Sequence, residues 1–224
     1  HKHCEALCYE AEILSILHHP ALPTLVEYFE EEGRSYLAEA WMEGTPMKHL
    51  RFFELPQILW IGLRLCDVLA YLHRQRLVHR DITPGNILLD LEHQKLSLLD
   101  FGLARLEVSS PHLHTAPETL QLAAGTPGYV APEQWGEGTV SPAADIYSLG
   151  MLLGCALTDC EPHEVVAVSS FADLWNDQRD IPPEILPLLT LLDQMIAWHR
   201  EKRPQLSEVS HTLAHLETHL FGTL

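Results

Sequence analysis

Hydrophobic and polar positions change period several times along the chain, and each change predicts an element. Leu7, Leu14 and Leu17 share one face of a predicted helix over residues 5–17. The run ends at His18-His19 before Pro20, because a residue preceding proline is pushed out of the helical region. Glu10 lies on that same face between Leu7 and Leu14, and a carboxylate on an apolar stripe requires a partner. Residues 25–29 and 35–40 read as two strands joined by a turn at Glu32-Gly33. Gly44-Thr45-Pro46 then breaks the pattern and predicts a linker between a first part, residues 1–43, and a second, residues 44–224.

Beyond Pro56, which suits the first turn of a helix, Ile58, Ile61, Leu65, Val68, Leu69 and Leu72 recur at helical spacing. Residues 87–90 and 96–100 predict a second short hairpin, and helices are expected over 145–157, 185–198 and 206–220. A small β-rich start followed by a mainly helical remainder predicts an α+β fold of two unequal parts.

Composition narrows the function. At 46% hydrophobic residues, the 224-residue chain carries enough apolar surface for a packed core. Asp and Glu number 31 against 14 Lys and Arg, a net charge of −17, which repels phosphate backbones and anionic lipid. Neither nucleic acid nor a membrane surface is therefore an expected partner. No run reaches the roughly 18 uninterrupted apolar residues of a spanning helix, so no membrane segment is expected. Five cysteines form an odd set without C-x-x-C spacing, which predicts reduced thiols and a cytoplasmic location. The chain lacks an initiator Met and opens in helix-like sequence, so it is expected to be cut at its start.

The densest polar signal is His79-Arg80-Asp81-Ile82-Thr83-Pro84-Gly85-Asn86, between an apolar helix and a strand. Asp100-Phe101-Gly102 follows the next strand, so one hairpin would hold Asn86 and Asp100 at neighbouring ends. Their oxygens suit Mg²⁺, a hard ion that shares its ligands with phosphates. Asp81 would sit on the adjoining loop, within reach of an incoming hydroxyl.

These residues resemble the catalytic core of eukaryotic-like protein kinases of the Ser/Thr type: HRD-x-x-x-x-N at 79–86, DFG at 100–102 and APE at 131–133, in order. Gly125-Thr126-Pro127-x-Tyr129, Asp145-x-x-Ser148-x-Gly150 and Arg203-Pro204 extend the match over the whole chain, with wording similar to bacterial members. The resemblance implies a bilobal fold, with 1–43 a partial small lobe and 44–224 a complete, mainly helical large lobe. It further implies ATP and Mg²⁺ as cofactors and a protein substrate with Ser or Thr. Asp81 then matches the catalytic base, and Asn86 and Asp100 the metal ligands. Glu10 matches the helix glutamate that pairs with a strand lysine, and Ala40 and Met42 the hinge backbone that reads adenine, with Leu88 beneath the ring. Leu14, Leu25, His79 and Phe101 match an internal stack, Glu133 and Arg203 a buried ion pair, and Asp145 a residue the family uses structurally, the reading adopted over a mere helix cap. Thr126 matches the substrate platform of Ser/Thr kinases, with its hydroxyl on Asp81. Arg80 is the expected holder of a phosphate on segment 103–124, where Ser109, Ser110, Thr115 and Thr119 are candidates.

The same resemblance has gaps. The glycine-rich loop and strand lysine that precede the glutamate helix are not in this sequence, and Lys2 is the only lysine before Glu10. Truncation of an active kinase is the expectation, with a pseudokinase scaffold and a small-molecule kinase as rivals. Thr83 stands where most Ser/Thr kinases place a lysine on the γ-phosphate. Glu39 aligns with the usually apolar gatekeeper, although a slip of one residue would put Ala38 or Ala40 there.

Overall fold

The computed structural model describes residues 2–51, 53–107, 125–135, 141–168, 170–176 and 181–222. Helix α1 (Lys2–Ile16) buries Tyr9, Ile13 and Leu14, and Leu17 just beyond its end. Leu14 and Leu17 are thus buried as predicted, Tyr9 and Ile13 widen the stripe, and Leu7 is only half-buried. Strands β1 (Leu25–Glu31) and β2 (Arg34–Glu39) pair antiparallel. Glu32 and Gly33 both take positive φ, 50° and 74°, the two-residue hairpin turn whose twist matches that of the strands.

Thr45-Pro46, expected as linker, forms instead a short strand, β3 (Thr45–Pro46), on the edge of a sheet with β5 (Ile87–Asp90) and β6 (Lys95–Leu98). Proline is tolerated on an edge because its missing donor faces away from the ladder. Gly44 is needed where the chain enters this strand: φ is +137°, and a Cβ there would lie 3.2 Å from Leu89 backbone. Between β3 and β5 runs α2 (Leu55–Arg74), opened by a capping box of Glu54 and Gln57 with Pro56 in the first turn.

Helix α2 buries each of its predicted apolar positions and packs on α3 (Ala143–Thr158) and α7 (Leu206–Phe221). It is long and apolar enough to cross a membrane by length and composition, but half of it is buried against these neighbours, as in a core helix. Helix α3 is buried almost all round. Helices α4 (Pro162–Val168), α5 (Phe171–Asn176) and α6 (Leu186–Met195) complete the helical part. Helix α6 stops before the predicted end, and Ala197 and Trp198 lie beyond it. A further pairing, β4 (Leu77–Val78) with β7 (Arg105–Leu106), has no sequence signal because each strand is two residues long. Arg203, buried, forks onto both Glu133 oxygens at 2.6 and 2.8 Å, the expected ion pair. The fold is α+β, as predicted.

Candidate active site

Residues 79–86 run from β4 to β5 as an irregular loop, and one buried carboxylate shapes it. Asp145 accepts the amides of His79 and Arg80 at 3.0 and 2.8 Å and Nε2 of His73 at 2.8 Å. Burial alone would raise this carboxyl, but the bond and charge of His73, with the loop amides, outweigh it and hold Asp145 below the usual carboxylate range. The clamp sustains Arg80 at φ 71°, a left-handed conformation that costs a non-glycine residue about 1–3 kcal/mol. Asp145 is not a helix cap: α3 begins at Ala143, and its side chain points at the loop.

Asp81 sits in this loop with both oxygens engaged. Oδ2 accepts Nδ2 of Asn86 at 2.8 Å, while Oδ1 accepts Oγ1 and the amide of Thr126 at 2.8 and 3.0 Å. Nδ2 of Asn86 also donates to the Asp81 carbonyl at 3.0 Å, so the Asn86 amide nitrogen braces the loop and its Oδ1 is left to face a ligand. The hairpin of β5 and β6 does what its spacing predicted: Leu99 donates to the Asn86 carbonyl at 2.8 Å, which sets Asp100 beside Asn86. Asp100 has φ 66° and turns Oδ1 onto the Gly102 amide at 3.1 Å.

Glu10 reaches this corner from α1. Its Oε1 accepts the Phe101 amide at 3.1 Å, and that amide is its partner where the resemblance implied a lysine. Desolvation first, then the Asp100 charge, raise the Glu10 carboxyl to about 7. Glu39 is raised in the same way by partial desolvation and by Asp100, yet it stays largely exposed on β2 and does not occupy an apolar pocket. Phe101 is fully buried with His79 edge-on at 4.9 Å, and burial keeps that imidazole neutral by lowering its pKa. Leu14 is buried with them, and Leu25 is half-buried.

The Ala40 amide donates to the Thr24 carbonyl at 2.8 Å, so Ala40 has its carbonyl to offer a base. Leu88 is 9% exposed, and the Gly44 backbone passes over it: an added Cβ would meet the Leu88 Cβ at 3.1 Å. A cavity of about 850 Å³ lies beside Met42, lined by Trp41, Arg64 and Lys95 among others, and none of Asp81, Asn86 or Asp100 lines it. Volume is a poor guide beside converging acids and amides, so the constellation around Asp81 is taken as the site.

The Arg80 side chain is buried, with Asp145 and Tyr9 as its electrostatic neighbours. Its guanidinium is buried near that of Arg105, which lies 5.3 Å from the centre of the Tyr9 ring. Burial, and then Arg80, outweigh the favourable pull of Tyr9 and lower Arg105 to about 10, and its Nη2 is buried with no hydrogen-bond partner among the described residues. Two buried guanidiniums with an unmet donor favour an anion. Arg105 was not singled out in the sequence, although its place just after Asp100-Phe101-Gly102 could have marked it. Residues 108–124, with Ser109, Ser110, Thr115 and Thr119, lie outside the described residues. Lys48 was also missed: a Cβ on Gly85 would lie 3.7 Å from Thr83 Oγ1 and 4.0 Å from Lys48 Nζ, so this ammonium lies over the loop.

Among the described residues, no three His, Cys, Asp or Glu side chains can hold a metal by themselves. The pair of Asn86 Oδ1 and the Asp100 carboxylate fits a Mg²⁺ that takes its remaining ligands from phosphates and water.

Residues 1–215 match the protein kinase domain family. Serine/threonine-protein kinase C of Synechocystis is 31% identical over 191 residues, 83% of this chain and 35% of its own length. Serine/threonine-protein kinase PknA of Nostoc is 31% identical over 188 residues, 81% of this chain and 33% of its own. The DNA damage-responsive serine/threonine-protein kinase RqkA of Deinococcus radiodurans is 31% identical over 222 residues, 92% of this chain and 32% of its own. The chain thus spans about a third of the length of these relatives.

Proposed function

Because the chain belongs to the protein kinase family, we propose that it transfers the γ-phosphoryl group of ATP to the hydroxyl of Ser or Thr in a protein substrate. The observation that carries this reading is the Asp81 carboxylate, aimed by Asn86 on one oxygen and by Thr126 on the other. A substrate hydroxyl entering beside Thr126 meets that carboxylate and gives it a proton. The hydroxyl oxygen bonds to the γ-phosphorus as the bond to the bridging oxygen of ADP breaks. Asn86 Oδ1 and the Asp100 carboxylate would hold Mg²⁺, which would supply charge neutralisation for the phosphates. The Ala40 carbonyl and the Met42 backbone would take the adenine edge, with Leu88 under the ring. Lys48 lies on the side of the loop where Thr83 replaces the usual lysine, and its ammonium supports the developing charge there. Arg80, with Arg105, would hold a phosphate of the segment that follows Glu107. The odd set of five cysteines supports a cytoplasmic setting.

A second reading, a nucleotide-binding scaffold without turnover, draws on Glu10, raised to about 7 beside Asp100. Incubation with γ-labelled ATP and a protein acceptor, followed by phosphoamino-acid analysis, decides between them. Label on Ser or Thr that disappears in Asp81→Asn is expected. Label chiefly on Tyr, or none above the Asp81→Asn background, overturns the proposal.

A further inference from the structure

Helix α3 ends in a left-handed residue, Asp159 at φ 54° and ψ 36°. Such an ending folds the chain back so that the side chain after the turn meets the one in the last helical turn. In this chain those side chains are Cys160 and Cys155, whose sulfurs lie 3.9 Å apart. Thr158 Oγ1 lies 2.9 Å from the Cys160 sulfur and also contacts the Gly154 carbonyl at 2.8 Å. Cys155 is buried, whereas Cys160 keeps part of its surface exposed. Both thiols line a cavity of about 210 Å³ whose other walls include Met47, Lys48, Pro84 and Tyr129. The cavity therefore joins a dithiol to the loop that carries Asp81.

We infer that Cys155 and Cys160 are a peroxide-sensitive pair whose oxidation to a disulfide slows phosphoryl transfer, an inference that rests on the kinase reading for its effect on rate. The Cys160 thiolate attacks one oxygen of a hydroperoxide. The O–O bond breaks, an alcohol or water leaves, and Cys160 becomes a sulfenic acid. Cys155 then attacks the Cys160 sulfur, the S–S bond forms, and the sulfenic oxygen departs as water with the Cys155 proton. Two thiols and one hydroperoxide thus yield one disulfide, one alcohol and one water. The order follows from access and proton affinity. Cys160 is the more exposed, and its hydrogen bonds to Cys155 and Thr158 lower its pKa against burial, while that of Cys155 is raised. Closing the pair from 3.9 Å to a bond of about 2 Å needs side-chain rotation at the end of one helix.

The route to the active site is short. Tyr129 lines the same cavity as both thiols, and its hydroxyl pKa is raised by burial and then by Cys155, Glu161 and Cys160. The Tyr129 amide donates to the Thr126 carbonyl at 3.1 Å, and Thr126 holds Asp81. Drawing the sulfurs together removes a wall against which Tyr129 packs, and so loosens the Thr126 grip on Asp81.

The test is titration of the protein with tert-butyl hydroperoxide, then cleavage at Asp159 without reductant and mass spectrometry. Asp159 separates the two cysteines, so the cleaved halves stay joined only through a disulfide. The expected result is joined halves, a fall in turnover of roughly tenfold, and recovery of both with dithiothreitol. Cys160→Ser and, separately, Cys155→Ala should keep the basal rate and lose the sensitivity. Thiols that stay free at Cys155 and Cys160 while other cysteines oxidise would overturn the inference, as would a disulfide that leaves turnover unchanged. Joined halves in a protein without phosphoryl transfer would refute the kinase reading and the rate effect while leaving the thiol chemistry standing.

Discussion

Thr126 grips Asp81 twice across 45 residues of chain, through its hydroxyl at 2.8 Å and its amide at 3.0 Å, both on Oδ1. In the proposed reaction, the side chain beside the entering substrate hydroxyl would also aim the proton acceptor. Removing only the hydroxyl leaves the amide bond in place, so Thr126→Val should fold normally. Steady-state kinetics should show kcat reduced by about ten- to a hundredfold and KM changed by less than threefold. A rise in KM at constant kcat would show that Thr126 serves binding alone.

Asp81 and Asp100 should separate chemistry from metal-dependent binding. Asp81→Asn should cut phosphoryl transfer by about 10³-fold while Mg²⁺-dependent nucleotide affinity stays within a few-fold. Asp100→Asn should lose that Mg²⁺-dependent affinity as well, because it removes a charged oxygen ligand. Calorimetry with and without Mg²⁺ checks both variants. Equal losses of affinity in the two would reverse the assignment.

Glu10 makes stability depend on pH. Its carboxyl is raised to about 7 from an ordinary 4.5, so between these values the folded chain binds more protons than the unfolded one. Its contribution to stability is therefore full below pH 4.5 and declines as pH rises to 7. Glu10→Gln keeps an acceptor for the Phe101 amide without the charge. The variant should match the parent at pH 4 and exceed it by about 1–2 kcal/mol at pH 8, the full shift being reduced by solvent screening. Thermal melts across that range test the sign. A variant less stable at pH 8 would show that the ionised carboxylate is used in the fold.

Glu133 and Arg203 brace the helical part. The Arg203 guanidinium is 0% exposed, and Glu133→Ala strands its charge against Ala143, Ala197 and Trp198 carbonyls. Chemical denaturation should show a loss of about 3–5 kcal/mol. Glu133→Ala combined with Arg203→Met should lose less than Glu133→Ala alone, since the uncompensated charge is then gone.

Lys48→Ala tests the ammonium over the catalytic loop. Turnover should fall by roughly tenfold with nucleotide affinity nearly unchanged, and Lys48→Arg should recover part of it. An unaltered rate would assign the Lys48 side chain to surface solvation.

What the sequence determined by itself was whatever short-range spacing enforces. The loop 79–86 and the hairpin after it lie within some twenty consecutive residues, so register alone carries Asn86 to Asp100. The helical period of α2 announced its buried face, and two left-handed residues at Glu32-Gly33 closed the first hairpin where a turn was expected. The order of the motifs identified the family, through which Glu10, Thr126 and the Glu133–Arg203 pair were anticipated. Only the tertiary structure decided what the distant partners do. Asp145, separated by 65 residues from Arg80, was expected to be structural, and the fold alone shows how: it is the clamp that keeps the loop in its strained shape. Glu10, whose family partner, a strand lysine, is not in this sequence, is bonded to the Phe101 amide, and Gly44-Thr45-Pro46 became a sheet edge because Leu88 and Leu89 offered backbone partners. Arg105 beside Arg80, Lys48 over Gly85 and Cys155 against Cys160 carry no local periodicity. Each pairing depends on a chain reversal or on a neighbouring element, and on the three-dimensional packing that brings one side chain to another.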